Sequence, residues 1–168
     1  MATEMTPDLI RAGSSMARVA AAAAEAGLAI RILKMAQSTR TAQEAADAAG
    51  CDVAQIVKSL VFENRATSKL NMMLVSGAHN ADMDFISEHH RLAFARCDVR
   101  RVRDETGFAI GGVAPIGHLT PIAIYMDRSL LGHDVVWAAA GRPDSVFSVN
   151  PGALAHAISA DIIDVRRD

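Results

Sequence analysis

Aromatic residues are scarce in this chain. They make up 4% of its 168 residues, with one Trp, one Tyr and five Phe, although 51% of the residues are hydrophobic. The core must therefore rest on Ala, Val, Ile, Leu and Met, and this length suffices to bury one without disulfide or metal staples. Charge of one sign is missing too: 17 Lys and Arg stand against 19 Asp and Glu, a formal net charge of −2. That excludes a broad phosphate-tracking surface but leaves room for a small contact with one end of a nucleic acid. Cysteine is limited to Cys51 and Cys97, without CxxC spacing. They read as reduced thiols of a cytoplasmic protein rather than a disulfide framework. No apolar run approaches the roughly 18 residues of a membrane helix, and the first residues lack the long apolar stretch of a secretory signal. GxSxG, Walker A and GxGxxG patterns are all absent, and the six histidines show neither HxxxH nor HExxH spacing. No nucleotide-fold fingerprint is present on this count, and no metal or other cofactor is expected.

What is present reads as alternating short helices and strands. Residues 1–13 are polar and mixed and are expected to form a flexible tail, leaving 14–168 as a single domain. Ser14 or Ser15 caps a helix running to Glu25 or Ala26, with Gly27 at its end. Leu28 to Leu33 has the branched content of a strand with Arg31 facing water. Thr41 and Glu44 match a capping box for a helix over 42–49 that stops at Gly50. Ile56 to Phe62 is an apolar run read as a buried strand or a helix-to-strand transition. A turn over 63–68 then leads to a return strand over 69–76, in which Asn71 fits only an exposed face. Helices are expected over 82–90 and 99–106, the second ended by Gly107. A strand over 121–127, a hairpin of 135–139 with 145–149, a helix from Pro151 to Ile158 capped by Asn150 and a last strand over 160–165 complete the chain. The fold class is α+β, a mixed α/β arrangement with a mostly antiparallel sheet and surrounding short helices.

Two stretches could carry chemistry. Gly107 to His118 holds four of the eleven glycines, one of the five prolines and a histidine. Glycine permits close backbone approach, and proline fixes φ and donates nothing. Such a stretch reads either as a tight turn or as a loop whose N–H groups face a ligand. The second stretch centres on Lys58, flanked by Ile56, Val57, Leu60 and Val61. Its ammonium either snorkels from a half-exposed strand or sits in a pocket to attract an anion or a developing oxyanion. His79 and His118 lie on loops and read equally as pocket groups or as ordinary loop residues. Arg91, Arg96, Arg100, Arg101 and Arg103 form the one basic concentration, diluted by Asp98, Asp104 and Glu105.

Taken together, Thr41-Ala42-Gln43-Glu44-Ala45-Ala46, Ile56 to Phe62 with its lysine, Ser76-Gly77 and Thr106 to Pro115 make the chain resemble the YbaK/ProX family of aminoacyl-tRNA deacylases over about residues 15–165. That family shares a fold with the editing domain of bacterial prolyl-tRNA synthetases. The resemblance implies an ester hydrolase that needs no metal and removes a wrong amino acid from tRNA in trans. Its substrate would be tRNA(Pro) carrying a small amino acid. Its partners would be the aminoacyl-tRNA acceptor end and, further, prolyl-tRNA synthetase, with no membrane. Lys58 would be the active-site lysine, and Gly111, Gly112, Val113, Ala114 and Pro115 the GxxxP loop that binds the oxyanion. Ser76, Gly77, His79 and His118 would contact substrate, and Ala109, Ala138 and Ala139 would shape the amino-acid pocket. The subgroup that acts on cysteinyl-tRNA has a serine-glycine and a later aspartate near the last hairpin. This chain has Ala138-Ala139-Ala140-Gly141 and Val146 there, so alanine or 2-aminobutyrate is the expected side chain. Two other readings stand beside this one: a non-catalytic module of the same fold that binds a tRNA end or a synthetase, and a hydrolase of another small ester or thioester.

Overall fold

The computed structural model describes residues 2–167, which form two sheets around one main core. The first sheet has the order β1-β2-β8-β7, with β1 at Thr3–Glu4, β2 at Arg31–Lys34, β7 at Val136–Ala139 and β8 at Ser145–Val149, all antiparallel. The second has the order β5-β3-β4-β6-β9, with β3 at Val57–Asn64, β4 at Leu70–Ser76, β5 at Phe94–Ala95, β6 at Ala123–Asp127 and β9 at Asp161–Ile163. In it β3 pairs antiparallel with β4 and β5, whereas β4–β6 and β6–β9 are parallel. The class is α+β, as the sequence pattern predicts, with one antiparallel and one mixed sheet in place of the single sheet expected. The main core draws Ile32, Val136 and Phe147 from the first sheet and Val57, Met72, Leu74, Ile124 and Met126 from the second. A separate cluster of Met73, Val75, Phe85, Ile86 and Ile163 lies on the other face of the second sheet. Strand alternation explains the division, since neighbours in a strand point to opposite faces.

The helices follow their caps. Helix α1 spans Ser15–Glu25 behind Ser14, whose hydroxyl accepts the Ala17 N–H at 3.1 Å. Helix α2 spans Ala42–Ala49 between the Thr41 cap and Gly50. Its capping box is displaced by one residue: Thr41 accepts the Glu44 N–H, but the Glu44 carboxylate accepts the N–H of Arg40 at 2.8 Å. Asp82, Asp98 and Asn150 cap α3 (Met83–His90), α4 (Val99–Thr106) and α5 (Pro151–Ala157). A 3-10 turn at Val53–Gln55 leads into β3, and another at Arg128–Gly132 follows β6.

Three expectations are corrected. The N-terminal segment is not a loose tail: Thr3 and Glu4 pair with Lys34 and Leu33, and the Met5 N–H donates to the Ile32 carbonyl at 2.8 Å. Met5 and Ile10 also pack on the main core, so apolar residues spaced among polar ones are enough to dock it. Asn71 is buried rather than exposed, because its amide oxygen accepts from Asn64 at 2.9 Å and its amide nitrogen donates to the Leu70 carbonyl at 2.7 Å. That satisfies a polar group whose burial would otherwise be costly. The strands expected over 28–33, 121–127 and 160–165 begin later or end earlier, because pairing exists only where a neighbour runs alongside. Met1 and Asp168 lie outside the described residues.

Candidate active site

Residues near Lys58 converge at the C-terminal ends of the parallel strands β4 and β6. Val57 belongs to the main core, so Lys58 emerges on the opposite face of β3, alongside Val75 of β4. Its ammonium donates to the His79 carbonyl in the loop after β4. That loop is tied to Asp127, the last residue of β6. One carboxylate oxygen of Asp127 accepts the Ser76 N–H at 3.1 Å and lies 3.1 Å from His79 Nδ1. The other accepts the Ser129 N–H at 2.9 Å and its hydroxyl at 2.8 Å. Burial alone would raise the Asp127 carboxyl, but the donors from Ser129, Ser76 and His79 outweigh it and hold the group below the ordinary carboxylate range. Burial pushes the Lys58 ammonium below the usual lysine range, and Asp127 partly offsets this. Ser76 is buried, with its hydroxyl spent on the Ala54 carbonyl at 2.8 Å. Gly77 is wedged against the turn before β3, where an added Cβ would lie 2.5 Å from the Val53 carbonyl oxygen. Ser76 and Gly77 therefore build the loop, with the Ser76 hydroxyl engaged inside the protein and Gly77 packed against the turn before β3. His79 remains at the rim, held through Nδ1.

The glycine loop lies on the other side. Val113 and Ala114 are buried in the main core, and Pro115 is buried beside them. Gly112 is a close-approach position: an added Cβ would fall 2.7–2.9 Å from the Arg142 backbone, in the turn between β7 and β8. Its N–H donates to the Ala109 carbonyl at 3.0 Å. The N–H groups of Gly111, Val113 and Ala114 meet no protein acceptor among the described residues. His118 Nε2 sits 2.6 Å from the Ala114 carbonyl, so that nitrogen carries the proton and donates. Burial pushes the His118 ring below the usual histidine range, Arg18 adds to this, and the Ala114 hydrogen bond opposes it. His118 thus supports the loop from its own end.

Between the two regions runs an open strand edge. Beyond β4, β3 pairs with β5 only at Glu63 and Asn64, and Ile56 bridges Trp137. From Val57 to Phe62 no strand among the described residues is hydrogen-bonded to the outer edge of β3, although β7 lies near its start. A groove of about 400 Å³ follows this edge, lined by Ser59, Val61, Cys97, Val102, Gly111 and Val113 among others. Ser59 Oγ is buried and without a hydrogen-bond partner among the described residues. The expected pocket residues Ala109, Ala138 and Ala139 are not part of this lining, which is mainly branched aliphatic with Ser59, Phe62, Arg96 and Cys97 among it. Cys97 donates its thiol to the Val61 carbonyl at 3.4 Å, and burial pushes the thiol up, which favours its neutral form as part of the wall. A larger hollow of about 770 Å³ at the far ends of β4 and β6 holds none of the expected residues.

The structure thus gathers Lys58, Ser76 and His79 into one network and Gly111 to Pro115 with His118 into another, on opposite faces of β3. Sequence reasoning missed Asp127, Ser129, Ser59 and Arg18. Signals existed for two of them: Asp127 is a carboxylate closing the apolar run Ile122 to Met126, and Arg18 is the only basic residue of an alanine-rich helix. Among the described residues no group of three His, Cys, Asp or Glu could hold a metal, and no helix is long and apolar enough to cross a membrane.

Comparison with known proteins gives a consistent picture. The family described as aminoacyl-tRNA editing domain matches residues 36–157. The chain is 31% identical over 134 residues to the uncharacterized protein YwhH of Bacillus subtilis (strain 168), covering 78% of this chain and 83% of that one. It is 37% identical to a solved structure described as a candidate trans-editing enzyme for prolyl tRNA synthetase, with a TM-score of 0.84 over 98% of this chain and 99% of that one. A third, described as hypothetical protein APE2540, shares 28% identity with a TM-score of 0.79 over 88% of this chain and 98% of that one.

Proposed function

The chain belongs to the aminoacyl-tRNA editing domain family, and from that premise we propose that it is a trans-editing hydrolase. It cleaves the ester between a small apolar amino acid and the terminal ribose of a mischarged tRNA, with tRNA(Pro) as the expected carrier. The observation that carries this reading is the row of unengaged N–H groups at Gly111, Val113 and Ala114, beside a groove that Gly111 and Val113 line. When water attacks the ester carbonyl, its oxygen becomes an oxyanion, and prealigned N–H donors stabilise that charge at no cost of reorganisation. The bond from the acyl carbon to the ribose oxygen then breaks, releasing amino acid and intact tRNA.

An aminoacyl-adenosine laid across the open edge of β3 would meet the loop on one face and Lys58 on the other. The acyl group would enter the groove, where the Ser59 hydroxyl offers a hydrogen bond to it or to the attacking water. Lys58, held by the His79 carbonyl, would meet the ribose or the terminal phosphate. No carboxylate or imidazole lines the groove, so the proton of the attacking water is relayed through the neighbouring ribose hydroxyl of the substrate, which gives up its own proton to the departing ribose oxygen. The mainly branched aliphatic walls fit a short, largely apolar side chain. The fitting partners are the acceptor end of a charged tRNA and, further, a prolyl-tRNA synthetase that released it, in the cytoplasm where translation runs.

The test is a deacylation panel: purified protein against alanyl-, 2-aminobutyryl-, cysteinyl- and seryl-tRNA(Pro), with Lys58→Ala alongside. Hydrolysis of the alanyl or 2-aminobutyryl ester, reduced on the order of 100-fold by the substitution, is expected. No turnover on any ester would sink the editing reading and leave the binding module or a hydrolase of another small ester, and turnover indifferent to Lys58→Ala would remove the lysine from the mechanism.

A further inference from the structure

Arg18 of α1 is half-buried and reaches across the molecule to the glycine loop. Its Nε donates to the Gly117 carbonyl at 3.0 Å and its Nη2 to the Gly107 carbonyl at 2.5 Å. These carbonyls bound the loop, so one guanidinium holds both ends. The same group lies over the Phe108 ring at 4.5 Å, and Phe108 is itself buried. His118 meets that ring edge-on at 6.1 Å and donates to the Ala114 carbonyl. The two glycines make room for this: an added Cβ at Gly107 would lie 2.5 Å from Arg18 Nη2, and one at Gly117 would lie 3.3 Å from the Arg18 carbonyl oxygen. Both glycines also sit at positive φ, +80° and +86°, where other residues are strained.

We infer that Arg18 is a positioning residue for the oxyanion loop: it clamps Gly107 and Gly117 together so that the N–H groups of Gly111, Val113 and Ala114 stay unengaged beside the groove. The inference rests on the reading of that loop given above and adds a residue outside it. Chemistry selects arginine for the task. Its planar fork offers several donors in fixed directions, while a lysine presents one charged point on a flexible stem and cannot bridge two carbonyls while stacking on a ring. A loop free at one end would pair its N–H groups internally, as Gly112 already does with Ala109, and its donors would leave the line of the oxyanion. Misplacement on that scale acts on the transition state rather than on substrate binding.

The experiment uses ¹⁵N-labelled full-length protein as wild type, Arg18→Ala and Arg18→Lys, with two readouts. The first is the amide resonances of Gly111 to Ala114, which needs no activity. The second is steady-state deacylation of alanyl-tRNA(Pro). Expected are displaced or broadened loop amides in both variants, a kcat loss on the order of 10-fold or more for Arg18→Ala with KM nearly unchanged, and partial recovery of both readouts on adding methylguanidine. Arg18→Lys, which keeps the charge and most of the packing, recovers less than methylguanidine does. Unchanged loop amides in both variants overturn the inference. So does a loss in Arg18→Ala that methylguanidine does not restore while Arg18→Lys matches wild type, since charge and bulk alone would then suffice. Absence of hydrolysis by the wild type would defeat the proposed reaction, and the amide readout would still decide on the clamp.

Discussion

The two faces of β3 solve opposite problems. On the Lys58 face, a single buried carboxylate, Asp127, organises a loop through side chains and through the Ser76 N–H, and the product is one placed ammonium. On the glycine-loop face the roles reverse. Side chains from α1 and from the loop's own end, Arg18 and His118, donate to backbone carbonyls, and the product is a set of N–H groups left without partners. The first region delivers a charge, and the second delivers oriented dipoles. A charge can act across several ångströms and tolerates small displacement, whereas a hydrogen bond to an oxyanion does not. The difference in construction follows: the Lys58 side is held at one node, while the loop is pinned at Gly107, Ala114 and Gly117 and has the Arg142 backbone against Gly112.

The comparison breaks most visibly at Asp127. Asp127→Ala strands the Ser76 N–H, the Ser129 donors and His79, and a loss on the order of 3 kcal/mol is expected. In a chain of this size that corresponds to a melting temperature lower by roughly 6–12 °C. The loop amides should hold their positions in the surviving folded protein, and a collapse of both regions together would show them to be one unit. The same carboxylate sets an acid limit. Because folding holds it below its ordinary pKa, its stabilisation is complete at neutral pH and is lost as the pH falls through the folded-state value, where Asp127→Asn should flatten the curve of denaturation midpoint against pH.

Gly112→Ala is the converse. The new Cβ must displace the loop from Arg142, and a deacylation loss on the order of 100-fold is expected with the Lys58 network intact. Activity near wild type in this variant would mean that the loop does not bind the oxyanion. A smaller effect belongs to His118, whose ring folding holds below the usual histidine range. Between that folded value and the unfolded one the unfolded state binds more protons, so stability falls as pH drops through this window. His118→Gln should remove that slope while keeping a donor toward Ala114, as pH-dependent denaturation would report. The smallest effect is at Glu4, whose ion pair with Arg31 at 3.1 Å joins two exposed side chains. Glu4→Ala should change stability by no more than about 0.5 kcal/mol in a urea titration.

How much of this was legible beforehand depended on distance along the chain. Ser14, Thr41, Gly50, Gly107 and Asn150 act within one turn of their helices, and the sequence places their helices to within a residue or so. The antiparallel pairs of β3 with β4 and β7 with β8 are hairpins, equally local. The parallel joining of β4 with β6 and β6 with β9, and the split into two sheets, involve partners brought from far away, and no periodicity encodes them. The site divides the same way. Lys58 and the Gly111–Pro115 stretch stand out by composition, but Arg18 reaches its carbonyls 89 and 99 residues on, and Asp127 meets Ser76 and His79 across 51 and 48. Such residues look ordinary until the fold supplies the partner. The faces of β3 were in principle countable from the alternation of Val57, Lys58 and Ser59, yet which face the glycine loop covers was not.

The central claim is that both faces of β3 act on one substrate laid across its open edge. The most direct measurement is a titration of ¹⁵N-labelled protein with an aminoacyl-adenosine whose ester oxygen is replaced by nitrogen, so that it binds without being hydrolysed. The account predicts that resonances of Gly111 to Ala114 and of the Lys58 side chain move together along a single binding curve. Movement of one set while the other stays fixed at saturation would contradict it.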